Sequence, residues 1–166
     1  MSENIRSLKN DLEYGLSKED EVLRRIRVYF VDEMEIQSTL QLYNNKFYPY
    51  DYEGLKTGNS FEVKSRRVKK NQYDTTIIPS HKIRKTEKKQ YFLFNFIDKL
   101  CYIEYNEEKW KDFKRGMIQI RRSGIIDKPT EHIYIPINDL EDLVDTNIYD
   151  KEVDEKLKER LTVRFD

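Results

Sequence analysis

The chain has 166 residues with 31 basic and 31 acidic side chains, so its net charge is zero and nothing overall draws it to a polyanion. Its single cysteine, Cys101, excludes an internal disulfide framework or a zinc cluster, and no apolar run approaches the roughly 18 residues that span a bilayer. A core of modest hydrophobicity but rich in tyrosine and phenylalanine, a charged N-terminus and an unpaired thiol together predict a soluble, intracellular domain.

Residues 8–30 carry the first helical pattern, with Val22, Leu23, Ile26, Tyr29 and Phe30 on one face. Ser17 is a candidate N-cap with Asp20 three residues on. At about 100° per residue Glu19 falls on the Leu23, Ile26 and Phe30 stripe, where a lone acid is costly unless partnered; at a helix start it can instead face solvent, favoured by the dipole. Glu35 to Tyr43 alternates loosely and predicts a strand. Asn44-Asn45 reads as a turn into a strand over Phe47–Tyr52, where Phe47, Tyr48, Tyr50 and Tyr52 crowd Asp51. Such aromatics can stack on unpaired bases, although in a strand they serve more often as core.

After Gly54, residues 60–67 read Ser-Phe-Glu-Val-Lys-Ser-Arg-Arg. Extended geometry puts Glu62, Lys64 and Arg66 on one face and Phe61 and Val63 on the other. A hairpin-like connection can set Asp51 beside Glu62, giving two hard oxygen donors next to an amine, a set suited to Mg²⁺. Asp51 with Glu62-Val63-Lys64 resembles the Asp … (Asp/Glu)-x-Lys signature of the PD-(D/E)XK nuclease superfamily, with Pro49 shortly before the aspartate. The tripeptide recurs at Glu87-Lys88-Lys89, Glu107-Glu108-Lys109, Asp112-Phe113-Lys114 and Asp154-Glu155-Lys156. Only the copy at Glu62 lies in an alternating apolar run with an aspartate and a turn upstream.

The remaining elements extend this pattern. From Lys64 to Lys89 there are ten basic residues against two acidic, a local +8 next to the proposed acids. Within it Thr75–Pro79 predicts a short strand and Ser80–Lys88 a basic helix. Residues 91–97 and 100–105 form the clearest hairpin, with a first arm apolar enough to be buried on both faces. Trp110 and Phe113 belong to a short helix or loop. Met117–Arg122 and His132–Ile137 predict further strands, and Asn138-Asp139 starts an acidic segment, Asp139 to Asp166, read as helical. His81 and His132 lack a nucleophile partner, and no Gly-rich phosphate loop is present.

The expected architecture is an α/β (α+β) domain over residues 1–166, a mixed central sheet flanked by helices. The resemblance covers about 12–105 and implies a restriction-endonuclease-like core, with extra C-terminal strands and an acidic C-terminal helix as an elaboration over 106–166. It further implies metal-dependent phosphodiester hydrolysis on nucleic acid, foremost DNA. Asp51, Glu62 and the Val63 carbonyl would hold Mg²⁺, for which Mn²⁺ can substitute, while Lys64 orients water or offsets charge and Glu19 assists from the first helix. Arg66, Arg67, Lys69, Lys70 and Lys82 would grip the backbone. Similar nucleases often act as dimers, so a homodimer is among the expected assemblies; no membrane partner is expected. The alternatives are a binding module on the same fold without catalysis, and an interaction protein whose basic and acidic segments pair between subunits.

Overall fold

A computed structural model describes residues 21–30, 33, 35–122 and 124–145. Among them a helix α1 occupies 21–29, followed by β1 (Ile36–Ser38), a short helix α2 (Thr39–Tyr43), β2 (Tyr52–Gly54) and β3 (Ser60–Ser65). Then come β4 (Thr75–Pro79), β5 (Gln90–Asn95), β6 (Lys99–Glu104), α3 (Glu107–Trp110), β7 (Arg115–Ile118), the two-residue strands β8 (Arg121–Arg122) and β9 (Ile125–Ile126), β10 (Thr130–Pro136) and β11 (Glu141–Asp145). The protein is thus α+β, with few helices and a mixed main sheet.

That sheet has six strands in the order β1-β2-β3-β5-β6-β11. All neighbours are antiparallel except β3 and β5, which run parallel in register from Ser60↔Gln90 to Ser65↔Asn95. The four inner residues of β5, Tyr91 to Phe94, are apolar because both faces of the strand are covered. Leu93 packs with Val22, Ile26, Ile36, Phe61 and Leu100 beneath α1. Phe92 and Phe94 point the other way, to Ile78, Trp110, Ile133 and Ile135. That second layer is a three-stranded sheet in the order β4-β10-β7. The result is helix on sheet on sheet, with the main sheet dividing two cores.

A parallel pair needs a crossover, usually a helix. Here it is β4 of the second sheet followed by one 3-10 turn at Ser80–Lys82. The expected basic helix over Ser80–Lys88 is therefore corrected to this single turn. Beyond it the backbone of Arg84 is held by a reciprocal pair with the Gln90 side-chain amide, Arg84 N–H to Gln90 Oε1 at 2.9 Å and Gln90 Nε2 to the Arg84 carbonyl at 3.0 Å.

Other boundaries also moved. The strand expected over Glu35–Tyr43 stops at Ser38, because Thr39 turns away to bond the Asp51 carbonyl through both its amide, at 2.9 Å, and its hydroxyl, at 3.1 Å. Asn44 ends α2 in the left-handed region at φ 49, a conformation that asparagine tolerates. The strand expected from Phe47 begins only at Tyr52. The alternation over Met117–Arg122 splits between β7 and β8. The expected acidic C-terminal helix is contradicted over Glu141–Asp145, which form a strand on β6 with Asp142 opposite Cys101. Asp139 ends a 3-10 turn, while residues 146–166 of that segment, the helical pattern over 8–20 and the Ser17 cap lie outside the described residues. Of the C-terminal strands, β11 joins the main sheet and β10 pairs with β4.

A buried carboxylate absent from the sequence reading locks the β2–β3 turn. Glu33 accepts from the Thr57 hydroxyl at 2.7 Å and the Asn59 amide at 2.5 Å. A Cβ at Gly54 would run into the Glu33 carboxylate and the Thr57 hydroxyl, so a larger residue there would have to displace this pair.

Candidate metal centre and nucleic-acid interface

β3 sets the geometry. The amides of Ser60 and Arg66 bond the carbonyls of Lys89 and Asn95 on the β5 side, so even-numbered residues of the strand direct their backbone groups to β5. Phe61 and Val63 direct theirs toward β2, and the Phe61 carbonyl accepts from the Asp51 amide at 3.1 Å. β2 does not extend as far as Val63. Asp51 fills the gap with its side chain, Oδ2 accepting the Val63 amide at 2.8 Å, and the Val63 carbonyl falls on the same strand edge.

Asp51 is held on both sides of its peptide. Its amide is fixed by Phe61, its carbonyl by Thr39, and the Thr39 hydroxyl also reaches the preceding carbonyl of Tyr50. The residue itself is exposed. Glu62 projects to the opposite face from Phe61 and is 7% exposed. Lys64 Nζ lies 3.5 Å from its Oε1, and Lys82 Nζ 3.8 Å from its Oε2. Burial and then the charge of Asp51 push the Glu62 carboxyl from 4.5 up to about 7, against the opposing pull of the two lysines. The repulsion by Asp51 places the two acids within electrostatic reach of each other. The fold thus brings the Asp51 carboxylate to the Val63 amide and the Lys64 amine to Glu62, with Asp51 near enough for its charge to act on Glu62; Glu19 lies outside the described residues.

These donors fit a hard divalent cation. The Glu62 carboxyl, whose ionisation is opposed by burial and by the charge of Asp51, would be relieved by a cation placed between the two side chains and the carbonyl on the same edge, and Mg²⁺ keeps several water ligands anyway. No group of three or more His, Cys, Asp or Glu side chains with metal-binding geometry occurs among the described residues, so further ligands there would be backbone and water.

The basic residues divide in a way that the sequence does not announce. Arg66 is built into the fold: its guanidinium donates to the Ile77 carbonyl at 2.6 Å and to the Thr76 hydroxyl at 3.3 Å, and lies over the Phe94 ring. Burial lowers its affinity for the proton. The face it occupies is the one β4 covers. Lys70 is occupied as well, its amide bonded to Asp98 and its amine to Asp142. Lys82 belongs to the carboxylate site. Arg67 and Lys69 are exposed.

A cleft of about 810 Å³ opens beside Asp51, lined among others by Leu40, Lys46, Tyr48, Val63, Arg67 and Ile97. A second, of about 630 Å³, runs from Lys64 past Lys69 to Ile120. Tyr50 is buried at the base of the first, its hydroxyl donating to Glu53, and Arg84 lies 4.2 Å over its ring while donating to Ser60 Oγ at 2.7 Å. Thr39 and Arg84 thus support the site from a distance, which only the folded chain reveals. His132 is buried, with Nδ1 2.8 Å from the Thr130 carbonyl, and is among the residues lining the second cleft. No family model, curated protein or solved structure matches the chain.

Proposed function

We propose that this protein is a metal-dependent nuclease of PD-(D/E)XK type that hydrolyses phosphodiester bonds, with DNA as its substrate. The observation that carries the reading is the convergence of Asp51 and Glu62, with Lys64 3.5 Å from Glu62 and the Val63 amide fixing Asp51. Asp51, Glu62 and the Val63 carbonyl would hold Mg²⁺ or Mn²⁺. Such an ion, when bound, polarises a phosphate and makes its water acidic enough to attack near neutral pH.

The chain's own groups do the rest. The bonds on either side of Asp51 fix its carboxylate before any ligand arrives, so little reorganisation is needed on binding. Lys64 carries a compact positive charge where an attacking water or a developing phosphorane charge has to sit. Lys82 shares Glu62 and keeps that carboxylate partly neutralised until a cation takes over. Arg67 and Lys69 are the exposed cations that can meet flanking phosphates.

A second reading is a DNA-binding module without catalysis, favoured by the fact that two lysines already compensate Glu62. Incubation of plasmid, linear, branched and single-stranded DNA with Mg²⁺ or Mn²⁺ separates the two. The nuclease reading expects metal-dependent cleavage that falls at least about 100-fold in Lys64→Ala while thermal unfolding is unchanged. Binding of DNA by both proteins with no cleavage by either would leave the binding module.

A further inference from the structure

The cleft beside Asp51 has a chemistry that phosphate binding alone does not call for. Leu40 and Ile97 stand on its walls more than half exposed, at 54% and 58%. Tyr48 lines it, stacked on Tyr43 at 4.3 Å between ring centres with only 9° between the planes, and edge-on to Tyr50 at 5.0 Å. Between the lining residues Lys46 and Tyr48 stands Phe47, 81% exposed, with the Lys46 amine 5.1 Å from its ring centre. The Asn45 side chain accepts the Phe47 amide at 2.9 Å and so holds the turn that presents this ring. Arg67, Asn95 and Asn45 complete the border with donors.

Exposed rings, aliphatic walls and two cations are a poor match for a continuous duplex, whose bases are already stacked and whose outer surface is phosphate. They match an unpaired nucleotide, which offers a flat apolar base for rings to cover and a phosphate for lysine and arginine to pair with. The volume, about 810 Å³, holds a ligand of that size with room to spare. We propose that this cleft is a subsite for an unpaired DNA nucleotide next to the bond to be cut, seated by Tyr48, Leu40 and Ile97 and closed over by Phe47. The substrate is then single-stranded DNA or a strand that leaves a duplex as a flap or frayed end. This rests on the nuclease reading for what happens at Asp51, but the subsite binds whether or not the bond is broken.

The test measures binding and cleavage separately. A 12-nucleotide thymidine strand, a duplex with a single-stranded flap and a blunt duplex of the same length are titrated by fluorescence anisotropy in EDTA, against wild type, Phe47→Ala and Tyr48→Phe. The expected result is at least tenfold tighter binding of the strand and the flap than of the blunt duplex. Phe47→Ala should lose about tenfold on the first two and nothing on the third, with thermal unfolding unchanged. Tyr48→Phe keeps the ring but loses the hydroxyl bonded to Tyr43 and Tyr50, so it should still bind the strand and the flap more tightly than the blunt duplex. Equal affinity for all three DNAs, or a Phe47→Ala variant that binds the strand as wild type does, overturns the subsite. Cleavage of the same DNAs with Mg²⁺ distinguishes the failures. Cutting of blunt duplex by wild type and Phe47→Ala alike would leave the nuclease without this subsite. Strand preference without cutting would leave the subsite without the nuclease.

Discussion

Replacing Glu62 by glutamine should make the metal-free protein more stable, and only at neutral to alkaline pH. The carboxyl is buried and faces Asp51, and its pKa rises from 4.5 to about 7, which at roughly 1.4 kcal/mol per decade amounts to about 3 kcal/mol. The sign follows from the direction of the shift. Below 4.5 both folded and unfolded chains hold the proton, and the contribution is fully present. As pH rises from there to about 7 the unfolded chain gives up its proton while the folded one retains it, so stability falls and then levels off. Glutamine keeps the shape, carries no charge, and leaves Lys64 and Lys82 free to turn to water. In urea melts with EDTA, Glu62→Gln should match wild type within about 0.5 kcal/mol at pH 4.5 and exceed it by about 1–3 kcal/mol at pH 8. Saturating Mn²⁺ should restore wild type at pH 8 and leave the variant unmoved. A variant that is less stable at pH 8, or a difference that does not change with pH, would refute the opposition of the two acids on which the site is built.

Three further outcomes follow from the same geometry. On the proposed reading a cation would displace the proton from Glu62, so Mn²⁺ affinity measured by calorimetry should weaken by up to about tenfold for each pH decade below about 7, with protons released on binding. Arg66→Ala should cost about 1–3 kcal/mol by stranding the Ile77 carbonyl, whereas Arg67→Ala should leave stability alone and lower the salt slope of DNA binding by about one, both checked by denaturation and by affinity against salt. Cys101 is buried and donates to Asp142 at 3.1 Å, and burial together with that carboxylate holds the thiol well above its usual range; a thiol reagent at pH 8 should label it only as fast as the protein unfolds.

The sequence was most legible where one local rule governed. Glu62 and Lys64 share a face because strands alternate, and the hairpin of β5 and β6 follows from an apolar run that a single turn divides. It was least legible where a side chain answered to a distant strand. Arg66 lies on the face of Glu62, as alternation requires, but nothing local reveals that β4 returns to cover that face and claim the guanidinium. The basic run from Lys64 to Lys89 looks uniform as composition, yet folding assigns Lys82 to a carboxylate, Lys70 to Asp142 and Arg84 to Tyr50, leaving fewer cations for a ligand than a count suggests. Likewise the acidic segment after Asp139 has no helical or strand period strong enough to decide, and Glu141–Asp145 become a strand because β6 offers an edge.

The cost at Glu62 bears on which function the fold serves. A carboxylate that binds only lysines would be held more cheaply at the surface, where desolvation is small and no second acid opposes it. Here the strand carries Glu62 inward, and a separately anchored loop brings Asp51 to face it, so two independent pieces of the fold work against the ionisation of one group. Backbone bonds fix Asp51 at its amide, its carbonyl and its carboxylate, and none of them needs Glu62 to be an acid; glutamine would satisfy the packing equally well. An arrangement that is firm, locally unfavourable and replaceable by a neutral isostere without structural loss favours the proposed divalent-cation site. A DNA-binding module without metal has no use for the repulsion, and that asymmetry is why the nuclease reading stands first.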